Sequence, residues 1–189
     1  SGAYGEVYLV EDIVTKNRVV VKKIKIPNEI VNIRERQTRY HQMQREINIM
    51  EQLPNKSSFP KYYGHYNIMG VNGRLDGIAI VMEFINGEDL SYFIRSDELK
   101  QLSENNRLKI VVTIFEQLLN AVKILHDNNI IHRDIKLDNI KVDYNNGLIK
   151  MISVLDFGFA CTNLGYQLKL GNCVPLVVGT PMYMAPQLL

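Results

Sequence analysis

The stretch His132-Arg133-Asp134-Ile135-Lys136-Leu137-Asp138-Asn139 concentrates side chains suited to one kind of chemistry. Asp134 can accept a proton from a hydroxyl, Lys136 can neutralise developing charge, and Asn139 offers a carbonyl oxygen to a hard cation such as Mg²⁺. Seventeen residues beyond Asn139 comes Asp156-Phe157-Gly158, a further carboxylate beside a glycine. A base, a cation and oxygen donors for a divalent ion form a set suited to phosphoryl transfer. A polar surface loop following a helix accounts for any one of these residues, but poorly for their joint spacing.

Such groups need regular elements to hold them. Residues 4–26 alternate apolar and polar, with Tyr4, Val7, Leu9 and Val10 before a turn at Lys16-Asn17 and Val19 to Ile26 after it, which predicts two strands. Asn28 to Gln52 is charged and long enough for a helix, with Met43, Ile47 and Met50 on one stripe and Pro54 beyond its end. Tyr62 to Asn67 and Gly77 to Phe84 read as further strands, joined through Asn72-Gly73. Past Asn86-Gly87 the pattern turns helical. Ser103 can cap a helix over Glu104 to His126, whose Leu108, Val112, Phe115, Leu119, Val122 and Leu125 recur every three or four residues. Ile140 to Tyr144 and Leu148 to Leu155 predict short strands about Asn145-Asn146-Gly147. Gly165, Gly171, Pro175, Gly179, Pro181 and Pro186 make the last thirty residues loop-like. The expected division is a sheet with one helix over 1–85 and a second lobe over 86–189.

The two polar motifs together resemble the catalytic loop and D-F-G of protein kinases, in which the first Asp is the base and the second holds Mg²⁺. Further resemblances follow in the family's order. Ser1-Gly2-Ala3-Tyr4-Gly5-Glu6-Val7 is similar to the latter part of the Gly-rich loop, although a bare turn explains two glycines better when they are taken alone, and it is Lys22 that raises the resemblance. Lys22, fifteen residues past Val7 at the end of Val19-Val20-Val21-Lys22, matches V-A-I-K. The resemblance implies a Glu partner for it; Glu46 is chosen over Glu35 and Glu51 because it lies beside the Ile47 and Met50 stripe. Ile80 to Leu90 looks like the adenine-binding hinge. There the resemblance implies Met82 as gatekeeper, backbone hydrogen bonds from Glu83 and Ile85, and Asp89 as an acid for ribose hydroxyls. Gly2, Gly5, Val7, Val20 and Lys141 complete the implied nucleotide contacts. Lys136, and a Gly179-Thr180-Pro181-Met182-Tyr183-Met184-Ala185-Pro186 run similar to G-T-P-x-Y-x-A-P, imply the Ser/Thr-specific branch.

The resemblance therefore implies an α+β, two-lobed protein-kinase-like fold with a small β-sheet plus helix N-lobe and a truncated, mainly helical C-lobe. It implies transfer of the γ-phosphoryl of ATP to Ser or Thr of protein substrates, with ATP and Mg²⁺ as cofactors. Asp134, Lys136 and Thr180 would be catalytic, and Asn139 and Asp156 would hold metal. The alternative is a pseudokinase or scaffold that binds nucleotide or partners without turnover, although such proteins usually lose one of Lys22, Asp134 or Asp156.

Composition narrows the partners. With 22 basic and 20 acidic residues among 189, net charge is only +2, and no extended basic face argues for nucleic acid or a membrane surface. At 46% hydrophobic the chain can bury a core, and no apolar run has the length of a bilayer span. Cys161 and Cys173 lack metal-ligand spacing and are too few for a disulfide framework, so a reducing, cytoplasmic setting and a soluble protein with no bond between them are expected. No feature specifies an oligomeric state.

Several positions depart from the family pattern. Gln187 stands where A-P-E has its carboxylate. Lys141 occupies an adenine-floor position that is normally apolar; its stem would cover the ring while its ammonium runs out to water. Arg133 would meet a phosphate on the activation segment, yet Leu176 stands at that site, Thr162 and Tyr166 are the only hydroxyls between Phe157 and Gly179, and Val174, Leu176, Val177 and Val178 predict apolar packing instead. The sequence stops at Leu189, where the resemblance implies further helices to cover the one at 104–126.

Overall fold

The computed structural model describes residues 5–26, 32–71, 73–162 and 178–188. The chain forms two compact units. The first takes the chain up to Gln52 together with Lys61–Phe84; the second takes Leu53–Pro60 and the chain from Ile85 onward.

In the first unit, β1 (Glu6–Glu11), β2 (Arg18–Lys25), β3 (Tyr62–Met69) and β4 (Leu75–Glu83) make an antiparallel sheet in the order β1-β2-β4-β3, accompanied by α1 (Ile33–Gln52). The β-branched run Val19-Val20-Val21 suits the central strand β2, which pairs on both sides. Asn32 starts α1 by accepting the Arg34 N–H at 2.9 Å, the bond an N-cap side chain supplies. Helical spacing then puts Met43, Glu46, Ile47 and Met50 on one face, and all four are buried. Met43 and Ile47 meet Ile26, Ile78 and Ile80 in a core edged by Ile24, Tyr62 and Met82. Each such side chain taken from water contributes about 1.5–3 kcal/mol.

In the second unit, β5 (Glu88–Asp89), β7 (Ile140–Asn145) and β8 (Leu148–Val154) form a small antiparallel sheet, and β6 (Ile130–Ile131) pairs with β9 (Cys161–Thr162). The helices are α2 (Leu90–Phe93), α3 (Asp97–Lys100) and α4 (Glu104–Asp127). Ser103 caps α4, accepting from the Asn106 N–H at 3.4 Å. Gln117 of α4 accepts the Ile152 N–H of β8 at 2.8 Å, tying the long helix to that strand. The face of α4 that meets this unit carries Ile110, Ile114, Ala121 and Leu125. Of the stripe predicted from sequence, Leu108, Val112, Phe115 and Leu119 are exposed instead. α4 is apolar on two sides, and periodicity alone does not say which side a neighbour covers.

Cys161, expected as a free thiol, is disulfide-bonded and fully buried. Residue counts speak of compartment, whereas bonding depends on the approach of two Cβ atoms, which spacing does not reveal. Cys173 lies outside the described residues. No helix among the described residues is long and apolar enough to cross a membrane.

Candidate active site

In the first unit, Lys22 of β2 is the register partner of Val7 and Ile80, so its stem leaves the sheet among apolar neighbours. Its Nζ lies 2.6 Å from Glu46 Oε1, with side chains 11% and 6% exposed. Burying a carboxylate on the apolar stripe of α1 is costly unless a cation meets it, and Lys22 is that cation. Of the competing glutamates, Glu35 is exposed and Glu51 accepts the Tyr62 hydroxyl at 3.3 Å. Val7 is exposed, while Val20 is half-buried and pairs with Leu9 and Met82. Gly5 approaches β2 so closely that a Cβ would lie 2.7 Å from the Lys23 carbonyl oxygen. Gly2 lies outside the described residues. The Glu83 N–H is committed to the Lys61 carbonyl at 2.8 Å.

In the second unit the loop between β6 and β7 gathers its polar groups around Asp134, which is only 4% exposed. Thr180 donates its hydroxyl to Asp134 Oδ1 at 2.7 Å. Lys136 Nζ stands 2.9 Å from Oδ2 and donates to the Thr180 hydroxyl at 3.0 Å. The Asn139 amide donates to the Asp134 carbonyl at 2.9 Å and to Oδ2 at 3.0 Å. Burial works to raise the Asp134 pKa, but hydrogen bonds from Thr180 and Lys136, the Lys136 charge and the Asn139 amide outweigh it and hold the carboxyl below its ordinary value. Asp134 is thus ionised at neutral pH and can orient an incoming hydroxyl. Because both of its bonds to Asp134 use the amide nitrogen, the side-chain Oδ1 of Asn139 accepts no hydrogen bond among the described residues. An oxygen of this kind suits a hard divalent cation, as does the exposed carboxylate of Asp156.

The backbone is held in an uncommon conformation at one residue of this loop and at another just after β8. Arg133 and Asp156 have φ of 66° and 60°, values rare for side-chain-bearing residues and frequent where a site over-determines its geometry. Arg133 Nε donates to the Phe159 carbonyl at 2.7 Å, which ties the β6–β7 loop to the segment after Asp156. Gly179, φ 111°, passes so close that a Cβ would lie 2.3 Å from the Arg133 carbonyl oxygen. That approach seats Thr180 on Asp134.

The whole chain, residues 1–189, matches the model of the protein kinase domain. This chain belongs to the protein kinase family. It is 32% identical over 189 residues to human mitogen-activated protein kinase kinase kinase 5, covering all of this chain and 12% of that protein. The ovarian-specific serine/threonine-protein kinase Lok of Drosophila melanogaster is 33% identical over 189 residues, with 36% of its length covered. Rice serine/threonine-protein kinase Nek6 is 31% identical over 191 residues, with 30% covered. The chain thus spans between about an eighth and a third of these relatives' lengths. Protein kinases in general use ATP with Mg²⁺.

Within this kinase domain, two residues that the sequence reading left without a role prove to position the loop. His132 is buried against the Phe157 ring, at 4.9 Å between centroids. Its Nδ1 accepts the Asp134 N–H at 3.2 Å, so Nε2 carries the proton and donates to the Leu155 carbonyl at 2.9 Å. Burial pulls its pKa below the ordinary imidazole value, against opposing pulls from the Leu155 carbonyl, Asp156 and Asp134. Phe59 also meets Phe157, at 6.1 Å between centroids, edge to face. A histidine eight residues before a predicted strand carries no such signal in sequence. Lys141 is only partly as expected: its ammonium does not run to open water but pairs with Asp89 Oδ1 at 2.9 Å. Ile85 and Met82 are buried and half-buried. Gln187 is exposed, and Leu176 with the valines at 174 and 177 lies outside the described residues, as does Tyr166.

Proposed function

We propose that this kinase domain transfers the γ-phosphoryl group of ATP to Ser or Thr hydroxyls of protein substrates. The observation that carries the reading is the Asp134 carboxylate, held at once by Thr180, Lys136 and Asn139. An ionised Asp134 takes the substrate hydroxyl as a hydrogen-bond donor, orients its oxygen and receives its proton as the bond to phosphorus forms. Its lowered pKa weights the role toward orientation over early abstraction. Lys136 stabilises charge on the transferring group, and Thr180 shapes the hydroxyl pocket. Lys22, fixed by Glu46, holds the α- and β-phosphates. Gly5, Val7, Val20, Met82, Glu83, Ile85, Asp89 and Lys141 make the remaining nucleotide contacts. Asn139 and Asp156 hold Mg²⁺, which when bound neutralises the phosphate oxygens. Two of the named relatives, Lok and Nek6, are serine/threonine-protein kinases, which supports the choice of acceptor.

In the full-length protein, Asp134→Asn should lower transfer from labelled ATP to a Ser/Thr peptide by at least about 100-fold while leaving Mg-ATP binding intact. Retention of more than about a tenth of the wild-type rate would remove Asp134 from the mechanism. Nucleotide binding without transfer by the wild type would favour the pseudokinase reading.

A further inference from the structure

Asp89 stands at the N-terminal end of α2, where an aspartate ordinarily accepts from the first helical N–H groups. Its side chain makes no such bond. It turns instead across the β5–β7 ladder to its register partner, Lys141, 2.9 Å away. The same ammonium donates to the Gly87 carbonyl at 3.3 Å. β5 has no slack with which to escape this pairing, because a Cβ at Gly87 would already lie 2.4 Å from the Val142 carbonyl oxygen. The side chains are 24% and 33% exposed, shielded enough for the pair to persist and open enough for a ligand to reach it.

A carboxylate already neutralised by an ammonium gains less from a hydroxyl donor, since its charge is already balanced and one of its two oxygens is engaged. We infer that Lys141 is a specificity-determining residue of the nucleotide site: by claiming Asp89 it blunts recognition of the ribose hydroxyls, so that ATP and 2′-deoxy-ATP are taken almost equally. The inference rests on the reading of Asp89 as the ribose-facing acid. It departs from the expectation drawn from Lys141 as a floor residue, in which only adenine packing is at stake.

The test measures dissociation constants for Mg-ATP and Mg-2′-deoxy-ATP in the full-length protein, wild type and variants, with thermal unfolding read alongside. The wild type should bind the two within about twofold of each other. Lys141→Met should tighten ATP and raise the preference for it to about three- to tenfold, the worth of one or two recovered hydrogen bonds. Lys141→Arg should keep the wild-type ratio, and Asp89→Ala, alone or with Lys141→Met, should hold it near one. Should Lys141→Met lose its fold, Lys141→Gln removes the same charge. A wild type that already prefers ATP tenfold, a ratio unmoved by Lys141→Met, or a preference surviving in the double variant would each overturn the role of Lys141. Failure of every protein to bind either nucleotide would overturn the ATP reading beneath it.

Discussion

Replacing Glu46 with Leu is the sharpest test of how the first unit carries its buried charge. The change removes the carboxylate 2.6 Å from Lys22 Nζ and leaves an ammonium whose side chain is 11% exposed. Breaking a buried pair from one side costs about 3–5 kcal/mol, and for a protein of this size each kcal/mol lowers the unfolding temperature by about 2–4 °C. A fall of about 6 °C is expected at the low end. Adding Lys22→Met removes the second charge as well and places apolar side chains beside Ile80, Met43, Ile47 and Met50. Replacing both members of a buried pair by apolar groups is neutral or stabilising by about 1–4 kcal/mol, so the double variant should unfold at or above the wild-type temperature. It should nevertheless transfer phosphate at least about 100-fold more slowly, because the cation assigned to the phosphates is gone. Differential scanning calorimetry and a peptide phosphorylation assay on the three proteins decide the matter. A double variant as unstable as Glu46→Leu would refute the view that the pair serves the nucleotide at the expense of the fold.

Two further outcomes follow from the second unit. Gly179→Ala forces a side chain against the Arg133 carbonyl at a φ of 111°, a strain of about 1–3 kcal/mol, and should slow peptide phosphorylation by roughly tenfold or more as Thr180 is displaced; a wild-type rate would contradict it. His132 is neutral in the fold with a pKa below the unfolded value of about 6.5, so below that pH the unfolded state binds more protons and stability falls. Its contribution is complete above pH 6.5 and is lost as the pH drops. The unfolding temperature between pH 7.5 and 5.5 should therefore decline less steeply in His132→Phe than in the wild type, and parallel profiles would count against the assignment.

Much of the candidate site's geometry was legible because the chemistry proposed for it demands fixed residue types at fixed distances along the chain. Asp134, Lys136 and Asn139 lie within six residues, and Glu46 could be picked from three glutamates because helical spacing sets it beside Ile47 and Met50. The long elements were legible for the same reason, with β2, β4, α1 and α4 found within a few residues of their periodic patterns. What escaped was either too short for a period, such as β6 and β9 at two residues each, or made by groups distant in sequence. Gly179 reads as a loop glycine until Arg133 is beside it. Lys141 reads as a snorkelling stem until its register partner is known to be Asp89. The exposed Leu108, Val112, Phe115 and Leu119 show the converse: a strong periodic signal marks an apolar face, but its neighbour is fixed by tertiary packing.

Leu53–Pro60 belongs by its contacts to the second unit although it lies in sequence inside the first. Its Ser57 and Ser58 carbonyls receive the Ser153 hydroxyl at 2.9 Å and the Val154 N–H at 2.8 Å, and its Phe59 covers Phe157. The chain accordingly crosses the boundary three times, after Gln52, Pro60 and Phe84, and no single scission of the gene can part the units. A recombinant piece starting at Ile85 would leave the end of β8 without two of its acceptors and Phe157 without its lid. A piece ending at Phe84 would carry eight residues whose partners were left behind. Dissecting this domain calls for grafting that octapeptide onto the second half, in the way a missing strand is supplied in trans, before either half is asked what it does alone.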